Sequence, residues 1–156
     1  MSEKPCIVDI GYIIGGDEGH LLVEMLLRMF VAWAEQQGLD LEILDKSPAF
    51  GGGLNSAKFS LASADRESFA ALHHGAHTMV RIPPDSFEQR RHMSCAGVRV
   101  GDDPDAPLPE TMADWGNERR RYFYDPYRAV SDTKLGRLEI DPDVLFAGDL
   151  SALNIE

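Results

Sequence analysis

The chain has 156 residues and a net charge of −11, from fifteen Lys and Arg against twenty-six Asp and Glu. With 44% hydrophobic and 26% charged residues it is composed like one ordinary globular domain or a compact pair of subdomains, which excludes wholesale disorder. The acidic balance excludes a protein that coats nucleic acid by bulk electrostatics, because non-specific affinity comes from neutralised phosphates; it leaves room for a local contact with structured RNA.

The first residues, MSEKPCIVDIGY, lack the basic start and apolar core of a signal peptide. Within them 6–10, apolar and β-branched, predicts a short strand. Gly15-Gly16-Asp17-Glu18-Gly19 breaks it and opens a helix, with Gly16 or Asp17 near the cap and two acids where the helix dipole favours them. Leu22, Met25, Leu26, Met29, Phe30 and Trp33 recur at helical spacing, so 21–34 is the strongest helix signal, closed by Gly38. Glu24 and Arg28 interrupt this stretch, which falls short of the ~20 apolar residues of a membrane span. Alternation at 39–44 predicts a half-buried strand, Gly51-Gly52-Gly53 a flexible turn, and 55–62 the next strand. Asp65 can cap a short helix through Leu72, followed by strands at 77–82 and 93–100, the first ended by Pro83-Pro84. Residues 101–117, rich in Asp and Pro and without periodicity, predict a linker. A strand at 119–124, a turn at 132–136 and short helical pieces over 142–155 complete the chain. Strands and helices mix without strict alternation, which predicts an α+β fold: a mixed sheet packed by one long helix.

Isolated motifs carry little chemistry. His73, His74, His77 and His92 invite a metal set, but Gly75 interrupts the helix that would put His73 and His77 on one face, and neither cysteine stands at zinc-finger spacing. No metal and no cofactor is expected. Cys6 and Cys95 are too few for a disulfide framework and read as buried thiols in a reducing cytoplasm. Cys95 and His92, three residues apart on a strand, face opposite sides, which argues against a nucleophile pair. The three consecutive glycines form no phosphate loop, because no Gly-Lys-Ser/Thr follows. Two groups of basic residues stand out, Arg81 with Arg90 and Arg91, and Arg119 with Arg120 and Arg121.

Four collinear stretches resemble the bacterial class I peptide chain release factors, especially the branch that reads UAA and UGA. Ile14-Gly15-Gly16-Asp17-Glu18, with Leu26-Leu27-Arg28-Met29-Phe30 and Trp33-Ala34-Glu35, is similar to the family's glycine-acid helix start and the helix behind it. Gly75-Ala76-His77-Thr78-Met79-Val80-Arg81-Ile82-Pro83 is similar to its GVHRLVRISP, and Arg90-Arg91-His92-Met93-Ser94 to its GRRHTS. Arg121-Tyr122-Phe123-Tyr124-Asp125-Pro126-Tyr127 through Asp132, with Val144-Leu145-Phe146-Ala147-Gly148-Asp149-Leu150, is similar to the family's RSYVLHPY and VLDGDLD segments. Between the third and fourth stretches the family carries a separate domain, whose Gly-Gly-Gln loop promotes ester hydrolysis in the peptidyl transferase centre. This sequence has no Gly-Gly-Gln and carries the short acidic stretch 101–118 there. The resemblance therefore implies a codon-recognition core at 1–100, an acidic linker replacing the Gly-Gly-Gln domain at 101–118, and a segment at 119–156 that completes the same superdomain.

The same resemblance implies a non-catalytic, cytoplasmic protein that binds the ribosomal decoding site (A site), with small-subunit rRNA and mRNA as partners and neither membrane nor DNA. A release hydrolase acting in trans is a further partner it allows. Carried over by position, Gly15, Gly16 and Glu18 match the helix tip that reads the first-position uridine, where free N–H groups and close backbone approach suit RNA. His92 matches the histidine that stacks on codon bases, and Arg90 and Arg91 are either phosphate contacts or a solvated basic strand edge. Pro83, Pro84 and Asp85 fall on the family's Ser-Pro-Phe recognition tripeptide, and Met93 on the threonine after the stacking histidine. These departures remove hydroxyl donors, which implies altered or degraded codon discrimination on a retained scaffold. His73, where the family commonly has Glu, reads as a further sign of drift. Two readings stand beside this one: a release-factor fold reused as a protein-interaction module or homodimer with no ribosome involved, and an enzyme that uses the histidines.

Overall fold

A computed structural model describes residues 5–62, 64–84, 87 and 89–153. The chain opens with β1 (Cys6–Ile14), which is buried over most of its length because it becomes a central strand. It runs four residues beyond the predicted 6–10, and its register shifts between Tyr12 and Ile14, where the strand gives way to α1 (Gly16–Gln37). The helix face predicted from spacing is the buried one: Leu22, Leu26, Met29, Phe30 and Ala34 lie against the sheet. Gly38 ends α1 in the left-handed conformation, its N–H bonded back to Ala34 and Glu35 carbonyls.

β2 (Asp40–Pro48) and β3 (Leu54–Ala62) form a hairpin, after which Asp65 caps α2 (Arg66–His73) by accepting from the Glu67 and Ser68 N–H groups. The half-buried alternation expected over 39–44 holds from Leu39 to Glu42, with Leu39 and Leu41 packed against the core, and is lost where the register shifts after Ile43. β2 is an outer strand of the sheet, and Ile43 and Leu44 are exposed. β4 (Gly75–Arg81) and β5 (His92–Gly101) pair antiparallel, β6 (Glu118–Phe123) joins β4 in parallel, and β7 (Ala129–Asp132) and β8 (Gly136–Leu138) finish the sheet. Among the described residues the strands form one eight-stranded sheet in the order β2-β3-β1-β5-β4-β6-β7-β8. The single parallel pair makes it mixed, so the α+β expectation holds, and Val100 and Arg121 belong to the same sheet. The short α3 (Pro142–Phe146), capped by Asp141, closes the helical layer beside α1.

The core lies between this sheet and the helices, with Phe30 packed against Phe59 and Phe69. Towards β6 and β7 it turns polar. Arg120 is fully buried and pairs with Asp132 (2.9 Å), which also receives Arg119 (3.1 Å). His77 Nε2 donates to the His73 carbonyl (2.7 Å), so its Nδ1 accepts from the Tyr122 hydroxyl (2.9 Å). Burial, then the Arg120 charge, pushes His77 down to about 3 and holds His73 well below the ordinary imidazole value. His73 is thus a packed member of this network, in contact with Phe30, Phe69 and Arg120. Arg119 and Arg120 are interior residues, and Arg121 is tied to Glu118 (2.7 Å), so the second basic group is no free surface patch.

Residues 102–117 are more than a linker. They return the chain from β5 to β6 across the sheet face opposite α1, and a 3-10 turn at Met112–Trp115 sets the Trp115 indole on that face, 4% exposed. Gly11 and Gly97, partners across β1 and β5, leave the space for it: a Cβ on either would overlap the ring. Lys58 from β3 holds the same segment by donating to the Pro104 and Ala106 carbonyls, and lies 3.7 Å from the buried Asp9 carboxylate that Arg99 also bonds (2.8 Å).

Candidate nucleic-acid interface

The start of α1 is built almost entirely from backbone. Gly15 takes a φ of 118° at the N-cap, and a side chain there would strike Ser94 of β5, so the helix tip sits directly on the strand. The N-cap glycine has no side chain to cap it. Gly19 makes the first helical hydrogen bond, back to Gly15, so the N–H groups of 16–18 precede the ladder; that of Gly16 donates to the Tyr12 hydroxyl (2.9 Å).

Glu18, in the first turn, is fixed from another element. Arg81 at the end of β4 grips its carboxylate with two bonds, Nε to Oε1 at 2.6 Å and NH2 to Oε2 at 2.8 Å. This bidentate bond raises Arg81 further above its ordinary value. Arg81 is the register partner of His92, the first residue of β5, and His92 is exposed. The β2–β3 loop supplies the facing wall: Gly51 lies against Asp17, and Gly53 has no room for a side chain over the His20 carbonyl.

Together these elements enclose a groove of about 670 Å³. Six of the ten residues singled out from the sequence line it: Gly15, Gly16 and Glu18 from the helix tip, Pro83 and Pro84 after β4, and His92 from β5. Arg91 lies outside it, bonded to Asp125 (2.9 Å), and Arg90 is exposed. Met93 faces away, because successive strand residues alternate sides; it is 50% exposed beside Cys95, Met112 and Ile14 around a second hollow of about 540 Å³. Asp85 lies outside the described residues. Sequence reading missed the roles of Arg81 and of Gly51–53 as groove walls. The signal available was a third consecutive glycine, one more than a hairpin turn needs. Both cysteines are buried and unpaired, and burial raises both thiols. Among the described residues no group of three or more His, Cys, Asp or Glu is placed to hold a metal, and no helix is long and apolar enough to cross a membrane.

Comparison with known proteins matches the sequence to a family. The PCRF domain profile matches residues 1–98, well over half of the chain. The chain belongs to the class I peptide chain release factor family. Peptide chain release factor 2 of Acidothermus cellulolyticus is 39% identical over 97 residues, which is 62% of this chain and 26% of that protein. Peptide chain release factor 1 of Phytoplasma australiense is 32% identical over 122 residues, 78% of this chain and 34% of that protein. RF2 of Thermus thermophilus shares the fold, with a TM-score of 0.79 at 21% identity over 97% of this chain and 66% of that one. The chain thus spans about a quarter to a third of the length of the curated relatives it matches.

Proposed function

We propose that this release-factor relative is a non-catalytic cytoplasmic protein that binds the decoding site of the small ribosomal subunit, and acts in translation termination, rescue or their regulation. The observation that carries the reading is the groove: three separate elements bring six residues at codon-recognition positions to one surface. A helix start whose N–H groups at 17 and 18 precede the ladder, an exposed imidazole and bare glycine backbone suit unstacked RNA, which is read by base edges and flat faces rather than by bulk charge. Non-catalytic character is supported by the absence of Gly-Gly-Gln from the sequence and by the docked 102–117 segment standing where the family carries its hydrolytic domain. Descent from the UAA/UGA-reading branch is supported by identities of 38–40% to several release factor 2 proteins against 32% to release factor 1. With Pro83 in the groove where the family carries a serine, and Met93 where it carries a threonine, codon discrimination is weaker than in the family.

Ribosome co-sedimentation tests this. The wild type pellets with ribosomes, and Glu18→Ala with His92→Ala together abolish pelleting. A wild type that stays in the supernatant even at low salt sinks the reading. Turnover in a peptidyl-tRNA release assay would sink its non-catalytic half. One observation favours the alternative of a protein-interaction module: Ile14, Met93 and Met112 expose apolar surface around the second hollow, on the sheet face away from α1. Such a module keeps its partner when the groove residues are changed.

A further inference from the structure

The two most exposed aromatic side chains of the protein stand on the two loops that wall the groove. Phe50 (109% exposed) precedes Gly51 in the β2–β3 loop, and Phe87 (101%) lies between Pro84 and His92 in the β4–β5 connection. The first is held outward. Ala49 and Gly53 close the loop with a backbone bond of 3.1 Å, and Gly52 bonds Ala49 (3.3 Å), so the backbone that carries the ring is fixed.

We propose that Phe50 and Phe87, on the two loops beside it, are stacking platforms for unstacked bases of a single-stranded RNA lying across the groove that the His92 imidazole lines. This rests on the ribosome-binding reading and deepens it: it names the flat base face, rather than the phosphate, as what the protein holds. Electrostatics decides the point. Of the cations in reach, Arg81 is spent on Glu18, and Arg91 on Asp125. A chain of net charge −11 in which these two guanidiniums already hold carboxylates gains little from neutralising phosphates through them. Stacking works without net charge and tolerates any sequence, since every base offers a π face. Two single rings on separate loop tips also differ from a protein-docking face, which buries aromatic anchors inside one continuous packed patch.

The test uses the full chain and a ten-nucleotide single-stranded RNA bearing one 2-aminopurine, followed by anisotropy and by quenching of the 2-aminopurine on stacking. Wild type quenches the probe, and its affinity falls only gently with salt, with a log–log slope shallower than about −1.4, the value for two neutralised phosphates on a single strand. Phe50→Ala and Phe87→Ala each weaken binding roughly 5- to 100-fold and relieve quenching, while Phe→Trp at either position restores both. Because both rings are wholly exposed, circular dichroism and Tm stay at wild-type values in all four variants. Unquenched or absent binding by wild type overturns the proposal, as does a steep salt slope with unchanged affinity in the alanine variants. Sedimentation velocity covers a protein partner: a wild-type dimer dissolved by the alanine substitutions overturns it in favour of self-association. The same variants carried into ribosome co-sedimentation separate the two claims. Ribosome binding that ignores both rings overturns stacking alone; probe quenching without ribosome binding overturns the decoding-site reading alone.

Discussion

Glycine bares the backbone at two places on this molecule, with opposite consequences. At Gly11 and Gly97 the missing side chains form a slot across two central strands, and the Trp115 indole of the same chain fills it. At Gly15, Gly16 and Gly51–53 the missing side chains shape a groove of about 670 Å³ that faces solvent between a helix tip and a hairpin loop. The first exchanges conformational freedom for packing. The second keeps N–H groups and close approach available to something outside the chain. The same residue type therefore serves packing at one face of the sheet and shapes the proposed binding groove at the other, and substitutions should separate the two roles.

The largest effect belongs to the closed slot. Gly97→Val places branched carbon where the Trp115 ring lies, so the indole must leave and the 102–117 segment loses its anchor. The expected cost is about 3–5 kcal/mol, as for emptying a large buried aromatic site. It is read as a fall in Tm with a red shift of tryptophan emission, while a groove-side binding assay on the protein that remains folded is unchanged. Unaltered emission would mean that the indole does not depend on the slot.

Second comes the pH dependence of the polar interior, which adjoins neither glycine region. His73 and His77 stay neutral in the folded protein, His77 down to about 3, whereas unfolded histidines take up protons below ~6.5. A depressed folded value means that the unfolded state binds more protons as pH falls. Stability is then flat above pH ~6.5 and declines below it, by up to about 1.4 kcal/mol per pH unit for each histidine. Asp132 pulls the same way. Burial would raise its carboxyl, but the Leu135 and Lys134 N–H groups with Arg120 outweigh burial and hold it low, so its contribution is lost as acid protonates it. Urea midpoints between pH 7 and 4.5 should show the decline, and His77→Asn should make it shallower. An unchanged slope in that variant would place the sensitivity elsewhere.

These two regions also show what the sequence makes legible. Local signals were sufficient for α1, with its apolar stripe and Gly38 stop, and for the Asp65 cap, because hydrophobic period and cap chemistry act within a few residues. The groove residues at the helix tip and around His92 were visible only through family resemblance, since three elements distant in the chain make the surface. What stayed hidden depends on cross-strand register. Nothing near Trp115 announces that Gly11 and Gly97 will be partners, and an Asp- and Pro-rich stretch without period reads as a linker until its one tryptophan is placed. The arginines at 119 and 120, which stand out in the sequence as part of a basic group, lie inside for the same reason: only the sheet order brings Asp132 beside both.

The smallest stability effect falls on the open side and discriminates most sharply between holding a shape and holding a ligand. Glu18→Gln keeps the size of the side chain and removes its charge from a partly exposed ion pair, a loss of about 1 kcal/mol or less. Its effect on binding follows from what Glu18 does for Arg81. If the carboxylate served only to neutralise the guanidinium, releasing that charge beside RNA would tighten ribosome binding and steepen its salt dependence. If Glu18 and the helix tip are held in a reading geometry by the two bonds from Arg81, binding weakens although a cation has been freed, and the salt slope steepens alone. The groove geometry favours the second: Glu18 lies on the first turn of α1, where a shift of the carboxylate moves the backbone that faces the groove. Co-sedimentation at two salt concentrations separates the outcomes, and tighter binding by Glu18→Gln would reduce the helix tip to a charge-compensated surface.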